Sequence, residues 1–258
     1  MKKALLVVSF GTSVPETRER TVFALEYALA RAFPDRTFYR AWTSGIIRKK
    51  ILKTEGLAID SVHGALDRMI AEGVEDLLVQ PTHLLDGEEN RLMTEAIQAV
   101  ADKFTSVRIG APLLSSPADL EEMADIMVRE YPLQDGQLFA WMGHGSAEMK
   151  ENVYVRLNEI LAKKGADNMV VGTVEFEPEF APVEERIHAR QPRQVCLAPL
   201  MVVAGDHAVN DMAGDEADSW KNRIAAEGSE PLCILKGLGE YEAVRAMYIE
   251  HAKAAEAK

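Results

Sequence analysis

Cysteine and positive charge are both scarce in this 258-residue chain: two Cys in all, and 29 Lys and Arg against 41 Asp and Glu. Two cysteines cannot staple a disulfide-rich domain, and neither lies in a Cys-x-x-Cys or Cys/His spacing that would hold zinc. Cys196 and Cys233 fall in apolar runs, which reads as two buried free thiols in a reducing compartment. The formal net charge of −12 argues against a nucleic-acid partner or docking on an anionic membrane. No apolar run approaches the ~20 residues needed to span a bilayer. Glycine-rich phosphate cradles are missing too: Phe10-Gly11-Thr12-Ser13 is not a P-loop, and no Gly-x-Gly-x-x-Gly follows a strand-like run. Met1-Lys2-Lys3 ahead of an apolar stretch superficially resembles an export signal. That stretch is short and runs straight into Phe10-Gly11-Thr12, so it is expected to be the first strand and the protein to be cytoplasmic.

What the chain does have is a large apolar fraction, 47%, enough for a substantial core. Short apolar runs closed by Gly, Pro or Ser predict strands at Ala4–Ser9, Thr37–Trp42, Asp76–Gln80, Val107–Ala111, Gln137–Met142, Met169–Glu175, Gln194–Ala198 and Leu232–Leu235. Helical spacing fills most of the gaps, at Ala65–Glu72, Asn90–Ala101, Ala118–Glu130, Glu151–Lys164, Asp211–Ala226 and Tyr241–Ala254. A first helix is expected after Ser13-Val14-Pro15-Glu16, with Ser13 as N-cap, Glu16 completing a capping box, and Thr21, Leu25, Leu29 and Phe33 turned inward. Alternation from end to end predicts an α/β fold with mainly parallel sheets, its site-forming loops at the carboxyl ends of the strands.

The chain also repeats itself. Phe10-Gly11-Thr12 lies over His144-Gly145-Ser146 at an offset of 134 residues, Gln80–Glu89 over Ala198–His207 at 118, and Leu114–Met123 over Leu238–Met247 at 124. Three matches in the same order predict two similar domains, placed at 1–130 and 131–258, with the last helix packing back on the first. Phe10 and Glu89 occupy the positions of His144 and His207, so the histidines belong to the second copy alone.

The chemistry concentrates there. Gly143-His144-Gly145 ends one predicted strand, Glu175 ends the next, and Met201–His207 follows the one after. Each histidine alone reads as an ordinary loop residue. Three successive strand ends delivering His, Glu and His to one side make a donor set suited to a borderline divalent cation, with positions left open for substrate. Glu175, Glu177 and Glu179 alternate onto one face while the strand persists, and Glu177 and Glu179 read as a solvated acidic edge. His83 ends a strand of the first copy and is a candidate for substrate contact; His63, His188 and His251 read as surface residues on helices. Arg48-Lys49-Lys50 with Lys53 reads as an exposed helix face.

At these residues the chain resembles a known family. Leu5–Ser13, Thr43-Ser44-Gly45, Pro112–Ser116, Met142–Gly145, Pro199–Met212 and Asp218–Lys221 together look like the anaerobic cobalt chelatases of cobalamin synthesis, the sirohydrochlorin cobaltochelatases. The run Met201-Val202-Val203-Ala204-Gly205-Asp206-His207-Ala208-Val209-Asn210-Asp211-Met212 is the most specific of these. Phe176-Glu177 departs from the family pattern, which has a serine–tyrosine pair. The resemblance implies a class II, nucleotide-independent chelatase with two flavodoxin-like domains, the ferrochelatase-like fold. Its catalytic and metal-binding residues would be His144, Glu175 and His207. Its tetrapyrrole would be met by Phe10, Gly11, Thr12, Ser13, Ser44, His83, Ser115 and Met201. Co²⁺ is then the substrate metal, with Fe²⁺ insertion for sirohaem as the competing reading and a non-catalytic tetrapyrrole or metal carrier as the alternative from another class. Oligomeric state stays open, a homo-oligomer included.

Overall fold

The computed structural model describes residues 1–132, 134–147 and 152–257. Eight strands form two four-stranded parallel sheets: β1 (Lys3–Ser9), β2 (Thr37–Trp42), β3 (Asp76–Pro81) and β4 (Ser106–Ile109) in the order β2-β1-β3-β4, then β5 (Gln137–Gly143), β6 (Met169–Thr173), β7 (Gln194–Leu200) and β8 (Glu230–Cys233) in the order β6-β5-β7-β8. The strand order repeats, as the internal sequence matches require. Ala4 to Val8 are fully buried, as are Leu138 to Ala140. Central parallel strands covered on both faces read as continuous apolar runs rather than alternations, which is why their sequence signal was strong.

The chain divides into two units, Met1–Ser115 together with the chain from Gly239 on, and Ser116–Leu238. Unit 1 carries α1 (Pro15–Arg18) and α2 (Ala24–Ala32), joined by a π turn at Glu19–Phe23, then α3 (Gly45–Glu55), α4 (Val62–Ala71) and α5 (Glu88–Gln98). Unit 2 carries α6 (Pro117–Glu130), α7 (Val153–Lys163), α8 (Ala181–Arg190) and α9 (Trp220–Ala226), and α10 (Glu242–Glu256) returns to unit 1. The divide falls one helix before the expected Glu130. Lys164, just past α7, pairs with Glu121 and Asp125 of α6 at 3.0 and 2.7 Å, and Met123, Ala124 and Met127 are buried. The end of α10 is tied to the amino edge of the first sheet. Asp76 pairs with Arg36 and Arg108, and Arg36 also holds Glu256 at 2.9 Å.

Four local expectations are corrected. Ser13 does not cap the first helix: Val14 is the N-cap, and the Thr12 hydroxyl accepts from the Val14 N–H at 3.3 Å. Pro15 does open that helix, and Thr21, Leu25, Leu29 and Phe33 are buried. The helix expected over Asp211–Ala226 is broken into a π turn at Ala208–Met212 and α9, whose cap is Ser219. His251 is not merely solvated, since its Nδ1 lies 3.2 Å from the Ala111 carbonyl. Finally, β6 stops at Thr173, two residues short of Glu175. Glu151, the expected start of α7, lies outside the described residues.

Candidate metal centre

Three strands of the second sheet end level with one another: Gly143 of β5 registers with Thr173 of β6 on one side and Leu200 of β7 on the other. The chain leaving each strand carries one candidate ligand. His144 follows β5 directly. Glu175 follows β6 because two further backbone bonds extend the pairing past the strand: Val174 N–H donates to the Gly143 carbonyl, and Glu175 N–H to the His144 carbonyl, both at 2.9 Å. His207 is reached through the longer segment after β7 and stands at the N-cap of the π turn.

The glycines around His144 are needed for close approach. A Cβ on Gly143 would enter the ring of Tyr154, and one on Gly145, where φ is +91°, would strike the Glu175 carbonyl. The buried Tyr154 hydroxyl accepts from the Gly145 N–H at 3.2 Å, and burial pushes that phenol up to about 12. On the other side the loop folds on Thr173. Its hydroxyl donates to the Phe176 carbonyl at 2.6 Å and accepts from the Glu179 N–H at 2.8 Å. Phe176 (φ +59°) and Glu179 (φ +54°) are left-handed, so the alternation expected for Glu175, Glu177 and Glu179 does not apply. Glu177 and Glu179 are exposed.

The outcome is convergence. Ligand atoms from His144, Glu175 and His207 all lie within 4.8 Å of one another, the group of at least three His, Cys, Asp or Glu found among the described residues that could hold a metal ion. The imidazoles meet edge to face, 4.8 Å between centroids at 89°. His144 and Glu175 are exposed and His207 half-buried, so the site opens to solvent. Nδ1 of His144 lies 3.1 Å from the Gly145 carbonyl, and Nδ1 of His207 lies 2.8 Å from an Asp211 carboxylate oxygen. Both acceptors lack a proton to give, so a neutral imidazole at either position donates from Nδ1 and keeps its Nε2 lone pair for a cation. Tyr154, Thr173 and Asp211 were not singled out by role in the sequence. For Asp211 a signal existed, a carboxylate four residues after a candidate histidine ligand.

The remaining candidates sit mostly at the carboxyl edge of the first sheet. Phe10 is half-exposed, and Gly11 (φ +97°) packs so tightly on Trp42 that a Cβ would overlap the indole. Thr12 is buried and Ser13 half-buried. Ser44 caps α3, accepting from the Ile47 N–H at 3.3 Å. Ser115 is exposed, and Met201, in unit 2, is half-buried with its carbonyl taken by the Leu238 N–H at 2.8 Å. His83 is buried, its Nδ1 3.5 Å from the Asn90 side-chain oxygen and its Nε2 without a hydrogen-bond partner; burial lowers its pKa. Both cysteines are free, and burial raises both thiols. Among the described residues no helix is long and apolar enough to cross a membrane.

Comparison with known proteins gives the family and the fold. The family model for the cobalt chelatase CbiK matches residues 3–257. A sirohydrochlorin cobaltochelatase of Salmonella typhimurium is 39% identical over 252 residues, covering 97% of this chain and 95% of the relative. The sirohydrochlorin cobaltochelatase CbiKC of Nitratidesulfovibrio vulgaris is 29% identical over 258 residues, covering 98% and 90%. Among solved structures, SirB from Bacillus subtilis with Fe³⁺ superposes with a TM-score of 0.69 at 14% identity, covering 99% of this chain and 96% of that one. CbiX, described as the terminal enzyme for biosynthesis of sirohaem in denitrifying bacteria, gives 0.56 at 20% identity, covering 98% and 99%. These two likenesses concern the fold.

Proposed function

Because the chain belongs to the cobalt chelatase family matched over residues 3–257, we propose that it inserts Co²⁺ into sirohydrochlorin, using His144, Glu175 and His207 as the metal site. One observation carries the assignment of residues: the three donors, far apart in sequence, lie within 4.8 Å of one another at an open strand edge. In this reading Nε2 of both histidines and the Glu175 carboxylate take Co²⁺ from solvent. The two imidazoles are neutral donors and Glu175 offsets part of the charge. Insertion exchanges these ligands stepwise for the ring nitrogens, while the ring gives up two pyrrolic protons. Glu175, or an imidazole released from the metal, accepts them.

Phe10, Gly11, Thr12, Ser13, Ser44, His83, Ser115 and Met201 are proposed contacts for the macrocycle. The half-exposed Phe10 offers a flat ring an aromatic edge. The reaction needs no nucleotide in this account, in keeping with the lack of a phosphate-binding loop in the sequence, and its place is the cytoplasm. Affinity alone does not select cobalt, since Ni²⁺ and Cu²⁺ bind such nitrogen and oxygen sets more tightly. Selectivity therefore lies in geometry, in release to the ring or in supply.

The test follows the change in tetrapyrrole absorption on adding Co²⁺, for wild type and for His144→Ala and His207→Ala. Loss of turnover in both variants is expected, and wild-type rates in both would remove the proposed site. Parallel assays with Fe²⁺ separate a cobalt from an iron enzyme. Stoichiometric binding without repeated turnover would identify a carrier instead.

A further inference from the structure

We infer that Asp211 is a positioning residue for cobalt capture: its carboxylate holds His207 as the Nδ1–H tautomer and aims Nε2 at the metal. This rests on the metal-site reading above and extends it to a residue outside the ligand set. The two histidines are held differently. His144 gives its Nδ1–H to a backbone carbonyl, at 3.1 Å, whereas His207 gives it to a carboxylate, at the shorter distance of 2.8 Å. Without that acceptor the neutral ring divides between two tautomers, one of which puts its proton where the metal must bind.

The turn carrying Asp211 is built to keep it there. Ala208 and Met212 are anchored in the core of unit 2. The Asn210 side chain donates to Asp206 at 2.9 Å, and the Gly214 N–H closes the turn on the Asn210 carbonyl at 2.9 Å. Any Cβ at Gly214 would collide with that carbonyl. A π turn adds one residue to the ordinary helical ladder, and such bulges recur at functional sites. The side chains of His207 and Asp211 are 33% and 46% exposed, so solvent screens the carboxylate's charge. Its contribution is therefore the hydrogen bond it accepts, and an amide oxygen in the same place should largely replace it.

The experiment titrates Co²⁺ alone into the full chain by calorimetry, for wild type, Asp211→Ala, Asp211→Asn and His207→Ala. Asp211→Ala should weaken Co²⁺ binding about 10- to 100-fold, the usual effect of losing a ligand's hydrogen-bond partner, while Asp211→Asn stays within about threefold of wild type. A purely structural role would lower melting temperature without this pattern of rescue. If His207→Ala loses Co²⁺ and Asp211→Ala binds it like wild type, the inference is wrong and the metal site stands. If His207→Ala itself binds like wild type, the metal-site reading fails and the inference with it. Long-range ¹H–¹⁵N spectra of His207 in the wild-type protein decide independently of whether Asp211→Ala folds: Nδ1–H supports the inference, and Nε2–H overturns it.

Discussion

Gly145→Ala places a single methyl group where the His144 and Glu175 loops touch. Two costs add. Gly145 has φ +91°, a region that costs an L-residue about 1–2 kcal/mol. The new Cβ would also overlap the carbonyl of Glu175, a backbone atom with no rotamer to escape into. Relief requires the loops to part, which breaks the 2.9 Å bond from the Glu175 N–H to the His144 carbonyl, worth about 1 kcal/mol. Together these give about 2–3 kcal/mol of lost stability. Displacing a reacting group by ~1 Å can cost ~100-fold in rate, so chelatase activity should fall by at least that order. Gly165→Ala is the control. Its φ is +72° but nothing lies within 4 Å of the added carbon, so it should cost about 1–2 kcal/mol from backbone strain alone and leave activity intact. Urea unfolding followed by tryptophan fluorescence, with the absorption assay for cobalt insertion, measures both. Equal stability and equal activity in the two variants would refute the claim that contact between these loops holds the ligands together.

Tyr154→Phe removes the buried acceptor of the Gly145 N–H and should cost about 1–3 kcal/mol for the amide left unpaired, read from the urea midpoint. Burial raises the Glu26 carboxyl from 4.5 to about 7, against the pull of Arg40. The folded state thus holds the extra proton, and this contribution is fully present below about pH 4.5 and lost as pH rises through about 7. Glu26→Gln should therefore show a shallower fall in stability between pH 5 and 8, a difference on the order of 3 kcal/mol at most. His83 has the opposite sign, because burial lowers its folded-state value. Its contribution is present above the ordinary imidazole range near ~6.5 and is lost as pH falls through the lowered value. His83→Gln should resist mild acid better than wild type in the same melts.

The strands were legible because each central one is buried on both faces and bounded by turn residues, and β1, β3 and β5 lie within a residue of where the runs placed them. His144 was legible for the same reason, standing where an apolar run meets glycine. Glu175 was singled out by topology, as the end of the strand next in sequence after the one that leads to His144. The strand proper stops at Thr173, but two further backbone bonds extend its pairing to Glu175, and the loop beyond folds on the Thr173 hydroxyl. No local pattern announces that Glu175 N–H will find the carbonyl of a residue 31 positions earlier in sequence. The helix expected over Asp211–Ala226 overlaps the end of the π turn and runs through the break before α9. Gly214 and the Ser219 cap marked the break. His83 had the right strand-end position, but sequence gave no sign of its burial against Asn90.

The central claim, that His144, Glu175 and His207 jointly hold cobalt, is tested most directly by anomalous diffraction at the cobalt edge from crystals loaded with Co²⁺. The account expects one strong peak within bonding distance of both Nε2 atoms and a Glu175 oxygen. A peak elsewhere, or none at this site under saturating cobalt, would contradict it.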